Sequence, residues 1–160
     1  MDVTGIIGEY ADYGLWATEQ VLDRLEKEPG EVLDAPVKSS FPTLRDTLLH
    51  IRNADHVWLC RLQQRPHSWL AEEDGSLATV RTHARAFHDH VISLDAHQLA
   101  RDRTYSDLSG NAHQQHTWQM VMHCVNHASY HRGQVVTIMH QLGLTDIPAT
   151  DLIRYQRQMS

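Results

Sequence analysis

From His116 to Leu142 the chain carries no proline, and its apolar residues recur at helical spacing: Trp118, Val121, Met122, Val125, Val135, Ile138, Met139 and Leu142. At about 100° per residue these positions fall on more than one side of a helix. Trp118, Met122, Val125, Val136 and Met139 share one face, while Met120, Cys124, His127, His131 and Ile138 share another. A helix wetted along one side does not carry both. The segment is therefore either central to a helical assembly or shared with a second subunit, and the expectation includes a homodimer.

Three further segments show the same period. Ile6–Glu26 places Ile6, Tyr10, Tyr13, Ala17, Val21 and Leu25 on one stripe and stops before Pro29-Gly30. Thr43–Gln64 begins after Pro42 with Thr43 and Asp46 spaced as a capping box, carries Leu44, Leu48, Ile51, Trp58 and Leu62, and ends before Pro66. Ser76–Ala100 carries Leu77, Val80, Ala84, Phe87, Val91, Leu94 and Leu99. A short tail helix follows Pro148, over Thr150–Gln158. The polar connection Arg101–Gln115 holds Thr104-Tyr105-Ser106 and then Gly110-Asn111, the pattern of a small hairpin. Four such helices predict an all-α four-helix bundle with a short C-terminal helix, and the length fits one domain over residues 1–160.

The charge balance narrows the function. A net charge of −6, with two Lys and scattered Arg, argues against nucleic acid as a partner. No apolar run is long enough to span a membrane, and Met1–Gly5 has no leader character, so the expected location is cytoplasmic. Cys60 and Cys124 sit within helical patterns and read as small buried hydrophobes.

The chemistry concentrates in His123-Cys124-Val125-Asn126-His127-Ala128-Ser129-Tyr130-His131-Arg132-Gly133-Gln134. Its three histidines fall at four-residue steps on one helical face, where two imidazoles can close on one ion. With 13 histidines in the chain, roughly one such pair arises by chance, so spacing alone is a weak motif. His50, beside the apolar stripe of the second segment, is the best candidate for a third ligand. Three imidazoles with an open position make a catalytic type of site, and they suit Zn, Ni, Fe or Cu. His123 reads as a packing residue or a support for the ligands. His83, His88, His90 and His97 read as solvated, and Trp16, Trp58, Trp69 and Trp118 as core or interface aromatics. Gly133 reads as a point of close helix packing.

These residues resemble the DinB-like (DinB/YfiT) family. Asn126-His127-Ala128-Ser129-Tyr130-His131-Arg132-Gly133-Gln134 resembles its NHxxxHRGQ signature, followed by Gln141-Leu142-Gly143 and Thr150-Asp151-Leu152. Ser40-Phe41, Leu48-Leu49-His50-Ile51, Ala54-Asp55 and Trp58-Leu59 match in the second segment, and Tyr13 with Trp16-Ala17 in the first. The resemblance implies a bundle, often dimeric, with a divalent metal (Zn or Ni first, Fe or Mn next) on His50, His127 and His131. His123, Arg132 and Asn53 would support the ligands or touch substrate. It also implies kinship with S-transferases and isomerases that use low-molecular-weight thiols such as bacillithiol or mycothiol. The leading expectation is thus an enzyme transferring such a thiol to an electrophilic small molecule. One alternative is a hydrolase using a metal-bound water, with Glu9, Asp12 or Asp55 as base; another is a non-catalytic bundle that is clamped by, or senses, the ion. Arg132 reads either as a carboxylate binder or, preferentially, as half of a structural ion pair.

Overall fold

In a computed structural model, residues 2–66 and 74–159 are described; Trp69 lies outside them. The elements run α1 (Val3–Leu25), α2 (Gly30–Leu33), α3 (Leu44–Leu62), α4 (Leu77–Ile92), α5 (Ala96–Ala100), β1 (Asp102–Ser106), β2 (Ala112–His116), α6 (Thr117–Gln141) and α7 (Leu152–Met159). Local chemistry sets most of the ends. Asp2 Oδ1 accepts from Gly5 N–H at 2.9 Å to start α1, and Thr43 Oγ1 accepts from Asp46 N–H at 3.0 Å to start α3. At the end of α6, Gly143 takes φ +73, and Leu144 N–H reaches back to Met139 C=O at 3.0 Å. That is the left-handed stop that glycine makes without a Cβ clash.

The single helix expected over Ser76–Ala100 is in fact two. Asp95 accepts from Gln98 N–H at 2.7 Å while Gln98 Oε1 accepts from Asp95 N–H at 2.9 Å. This box starts α5 afresh, and Ser93 ends α4. The connection between α1 and α3 also contains the short α2, capped by Pro29, which the periodicity did not reveal. The hairpin forms as expected, β1 antiparallel to β2 with Thr104 opposite Gln114 and a turn through Gly110 at φ +86.

The four long helices touch in a closed ring: α1 with α4 and α6, and α3 with α4 and α6. They enclose two apolar clusters. One gathers Ile7, Ala11, Ala17, Trp58, Phe87, Val121 and Val125. The other gathers Leu22, Leu25, Leu44, Leu48, Val80, Val135 and Ile138. Between them along α1, α3 and α6 lies a polar layer of Thr18, Asp55 and Arg132, all buried. The helices approach closely at one point, where a Cβ on Gly14 would meet Val125 Cγ1 at 3.1 Å. Gly133 is different: a Cβ there would meet nothing within 4 Å, so it is not the packing point its mid-helix position suggested. Tyr155 of α7 closes one end against Tyr13 and Trp16, with ring centroids 6.0 and 5.5 Å away. No helix among the described residues is long and apolar enough to cross a membrane.

Candidate metal centre

α3 and α6 pack side by side, and that seam brings His50 to His127 and His131. Their ligating nitrogens all lie within 4.8 Å of one another. His127 Nε2 stands 3.1 Å from His50 Nε2 and 3.1 Å from His131 Nε2. Nitrogens held about 2.0–2.1 Å from a tetrahedral ion are separated by about 3.3 Å. Two of the three nitrogen pairs are thus close to the spacing that one small cation demands.

The protonation states agree. Burial first, then the neighbouring His131, His50 and His123 rings, push the His127 imidazole down to about 4. Burial and the His131 ring lower His50 as well. Both are therefore neutral near pH 7, the form that donates a lone pair to a metal. His131 is oriented from behind: its Nδ1 lies 2.8 Å from Gln134 Oε1, and Gln134 Nε2 donates to Ser40 Oγ at 2.9 Å. The amide fixes Nδ1–H on His131 and leaves its Nε2 lone pair facing the other two rings. Phe41 covers His50 at 4.6 Å and meets His131 at 5.7 Å between centroids. A groove of about 370 Å³ opens beside them, lined by Phe41, Pro42, Asp46, Leu49, His50, Arg52 and Asn53.

The supporting residues divide. Asn53 lines the groove, with its Oδ1 held by Arg52 Nε at 3.1 Å. His123 packs on Trp58 at 4.7 Å and lies 6.1 Å from the His127 ring, outside the converging set. Arg132 points away from the histidines into the core. It donates to Thr18 Oγ1 at 3.2 Å and Ser129 Oγ at 2.8 Å, and its guanidinium lies 5.6 Å from the Tyr13 ring. Among the described residues it forms neither the expected ion pair nor a carboxylate site, and Asp55 acts on it only through its field.

The bases considered for hydrolysis are engaged elsewhere. Glu9 accepts from Gln156, and Asp12 from His88. Asp55 faces Cys124, whose thiol donates to Asp55 Oδ1 at 3.4 Å. Burial raises Asp55 to about 7, and burial together with Asp55 holds the Cys124 thiol well above its usual value, so Cys124 is a protonated core residue. The carboxylate that does line the groove is Asp46, which sequence spacing marked only as a cap. Three of the four histidines expected to be solvated are half-buried. His88 bonds Asp12 at 2.7 Å, His83 faces His56 at 5.3 Å, and His90 Nε2 is buried without a partner among the described residues; His97 is exposed.

Gln134, Ser40 and Phe41 had no individual role in the sequence reading. Gln134 was legible in part, because it lies three residues after His131 and so shares its face. Ser40 and Phe41 reach the site from a loop, where no periodicity speaks.

Two adjacent helices of a helical protein thus place three imidazoles where they could hold a metal ion, beside a groove. The sequence profile of the DinB family matches residues 1–159, and the chain belongs to that family. It is 23% identical over 150 residues to protein DinB of Bacillus subtilis (strain 168), covering 86% of each. A solved crystal structure of a DinB-like protein from Bacillus cereus ATCC 10987 shares its fold, with TM-score 0.62 and 24% identity, over 83% of this chain and 89% of that one.

Proposed function

We propose that His50, His127 and His131 hold one divalent ion, Zn or Ni before Fe or Mn, in a single-domain four-helix bundle. We further propose that the site transfers a low-molecular-weight thiol to an electrophilic small molecule in the cytoplasm. The observation that carries this reading is the convergence of three Nε2 atoms, with His131 braced by Gln134. Three ligands leave a position for a fourth group, and the groove at Phe41 and Asn53 gives a small molecule access to it. When bound, the ion would supply Lewis acidity and favour the thiolate form of a thiol. Phe41 excludes water from one side of His50, and Gln134 keeps the His131 lone pair aimed. The thiol proton would pass to solvent, the sulfur would form the new bond to the electrophilic carbon, and the leaving group would depart with its electron pair.

A second reading makes water the nucleophile, and Asp46 favours it as a carboxylate on the wall of the same groove. Asp46 Oδ2 already accepts from Thr43 Oγ1 at 2.6 Å, which ties it to the helix cap and ranks this reading second. A homodimer belongs to the same proposal. Ile6 and Met122 are exposed around the Tyr10–Leu152 groove, an apolar surface suited to a second copy.

Elemental analysis of the protein and of His127→Ala tests the centre. About one ion per chain, lost in the variant, is expected; no ion in the wild type after incubation with Zn or Ni removes the proposal. A panel of thiols and electrophiles with metal-loaded protein then separates transfer from hydrolysis. Light scattering of wild type against Met122→Glu reads the dimer.

A further inference from the structure

The last turn of α3 carries a buried donor, on Arg61, that is unused among the described residues. Arg61 is only 8% exposed, yet it stands between two rings, 4.5 Å from the Trp58 centroid and 4.8 Å from that of Tyr105. Its Nη2 donates to Ser106 C=O at 2.9 Å, while its Nε is buried with no partner among the described residues. Among the described residues no carboxylate pairs with it. The nearby Asp107 spends its oxygens on Ser109 and Asn111 N–H groups and on His113. Arg61 lines a pocket of about 350 Å³ together with Gln64, Arg65, Thr104, Tyr105 and Ser106. Gln64 sits at φ +55, a left-handed conformation uncommon outside glycine. Its amide donates to Arg61 C=O at 2.8 Å and Thr104 C=O at 3.2 Å, pinning the hairpin to the helix end. Gln64 is thus the left-handed stop of α3, where Arg65 N–H reaches back to Cys60 C=O at 3.0 Å.

A half-used, ring-stacked guanidinium with the exposed Arg65 at the mouth is a receptor for a planar or tetrahedral oxyanion. Its placement relates it to the histidine centre. Arg61 follows His50 by eleven residues, three turns of helix, which returns to the same face about 16 Å along the axis. Ring contacts cover that distance: His127 to His123, His123 to Trp58, and Trp58 to Arg61.

We propose that the Arg61 pocket binds the carboxylate or phosphate at the far end of an elongated substrate whose sulfur sits at the three histidines. The claim rests on the thiol-transfer reading and narrows it to an anionic thiol roughly 15 Å long.

Two measurements on the Zn-loaded protein keep the two ideas separable. The first follows the Arg61 Nε–H resonance during titration with sodium phosphate, and separately sodium acetate, at constant ionic strength. A saturable shift is expected, weakened about threefold in Arg65→Gln, and calorimetry with the same anion should show binding to the wild type and none to Arg61→Lys, whose folding is checked by circular dichroism. The stronger of the two anions identifies the headgroup, and no saturable shift with either overturns the pocket. The second compares mercaptoundecanoate with the neutral mercaptoundecanol. The acid is expected to bind about tenfold more tightly, an advantage absent in Arg61→Lys. Equal affinities overturn the link between the sites. Failure of both thiols to bind removes the thiol reading, and with it the link, while the phosphate titration still decides the pocket.

Discussion

Two polar regions share the α3–α6 seam, and they are built on opposite rules. In the core, Arg132, Thr18, Ser129, Asp55 and Cys124 direct donors at acceptors; only Arg132 Nε lacks a partner. One turn away, His50, His127 and His131 bring their Nε2 atoms together, with two of the contacts at 3.1 Å. Neutral imidazoles gathered in this way are a ligand set that a divalent ion could use. The first region holds the fold together; the second is held in place by it. Burial alone would not distinguish them, since His131 and Arg132 are both buried and adjacent in the chain.

Removing a member of the core network should break the comparison most visibly. Arg132→Ala leaves Thr18, Ser129 and the Asp55 field without their partner, and a loss of about 3–5 kcal/mol is expected in urea denaturation. His127→Ala should abolish the proposed metal binding, while the metal-free protein should lose less stability than Arg132→Ala does, since His127 is only half-buried.

The next largest effect is a pH dependence. Asp55 takes a proton at about 7 when folded and near 3.8 when unfolded. Between those values the folded state binds more protons, so this group's contribution to stability is full below pH 4 and falls as pH rises to 7. The change is at most about 4 kcal/mol. Asp55→Asn should flatten that limb and be the more stable protein at pH 8. The histidines act in the opposite sense, because His127 must be neutral in the fold, so the difference between wild type and Asp55→Asn isolates the carboxyl.

Gln134→Ala sharpens the comparison at the other region. Metal affinity should fall about 10–100-fold in a competition assay with a chromogenic chelator, with little change in melting temperature. The smallest effect is at Gly133, where a methyl meets nothing: Gly133→Ala should stabilise the protein by about 0.5–1 kcal/mol through helix propensity. A loss there instead would show that another molecule packs against this face.

The long helices and the three histidines were readable because both are periodic. Val121, Val125, Val135 and Ile138 report a buried side, and His127 with His131 report one face. Ser93–Asp95 broke a helix that the apolar pattern carried through, since the Asp95–Gln98 box acts on backbone donors that apolar spacing does not register. His88 looked solvated in sequence because its partner, Asp12, lies on another helix. Arg132 was read as an ion-pair member because hydroxyl partners from Thr18 and Ser129 leave no charge signature. Arg61, Phe41 and Gln134 gain meaning only from neighbours brought in by the fold.

The hydrogen bond from Gln134 to Ser40 joins residues 94 positions apart, and His50 meets His127 across 77. Closures of that span come after local helices have formed, because the chain between them must first lose its freedom. An ion taken up at the proposed site would therefore meet helices that have already formed. Such a chain would mature in two stages, its helices first and its long-range closures, with any ion they hold, afterwards.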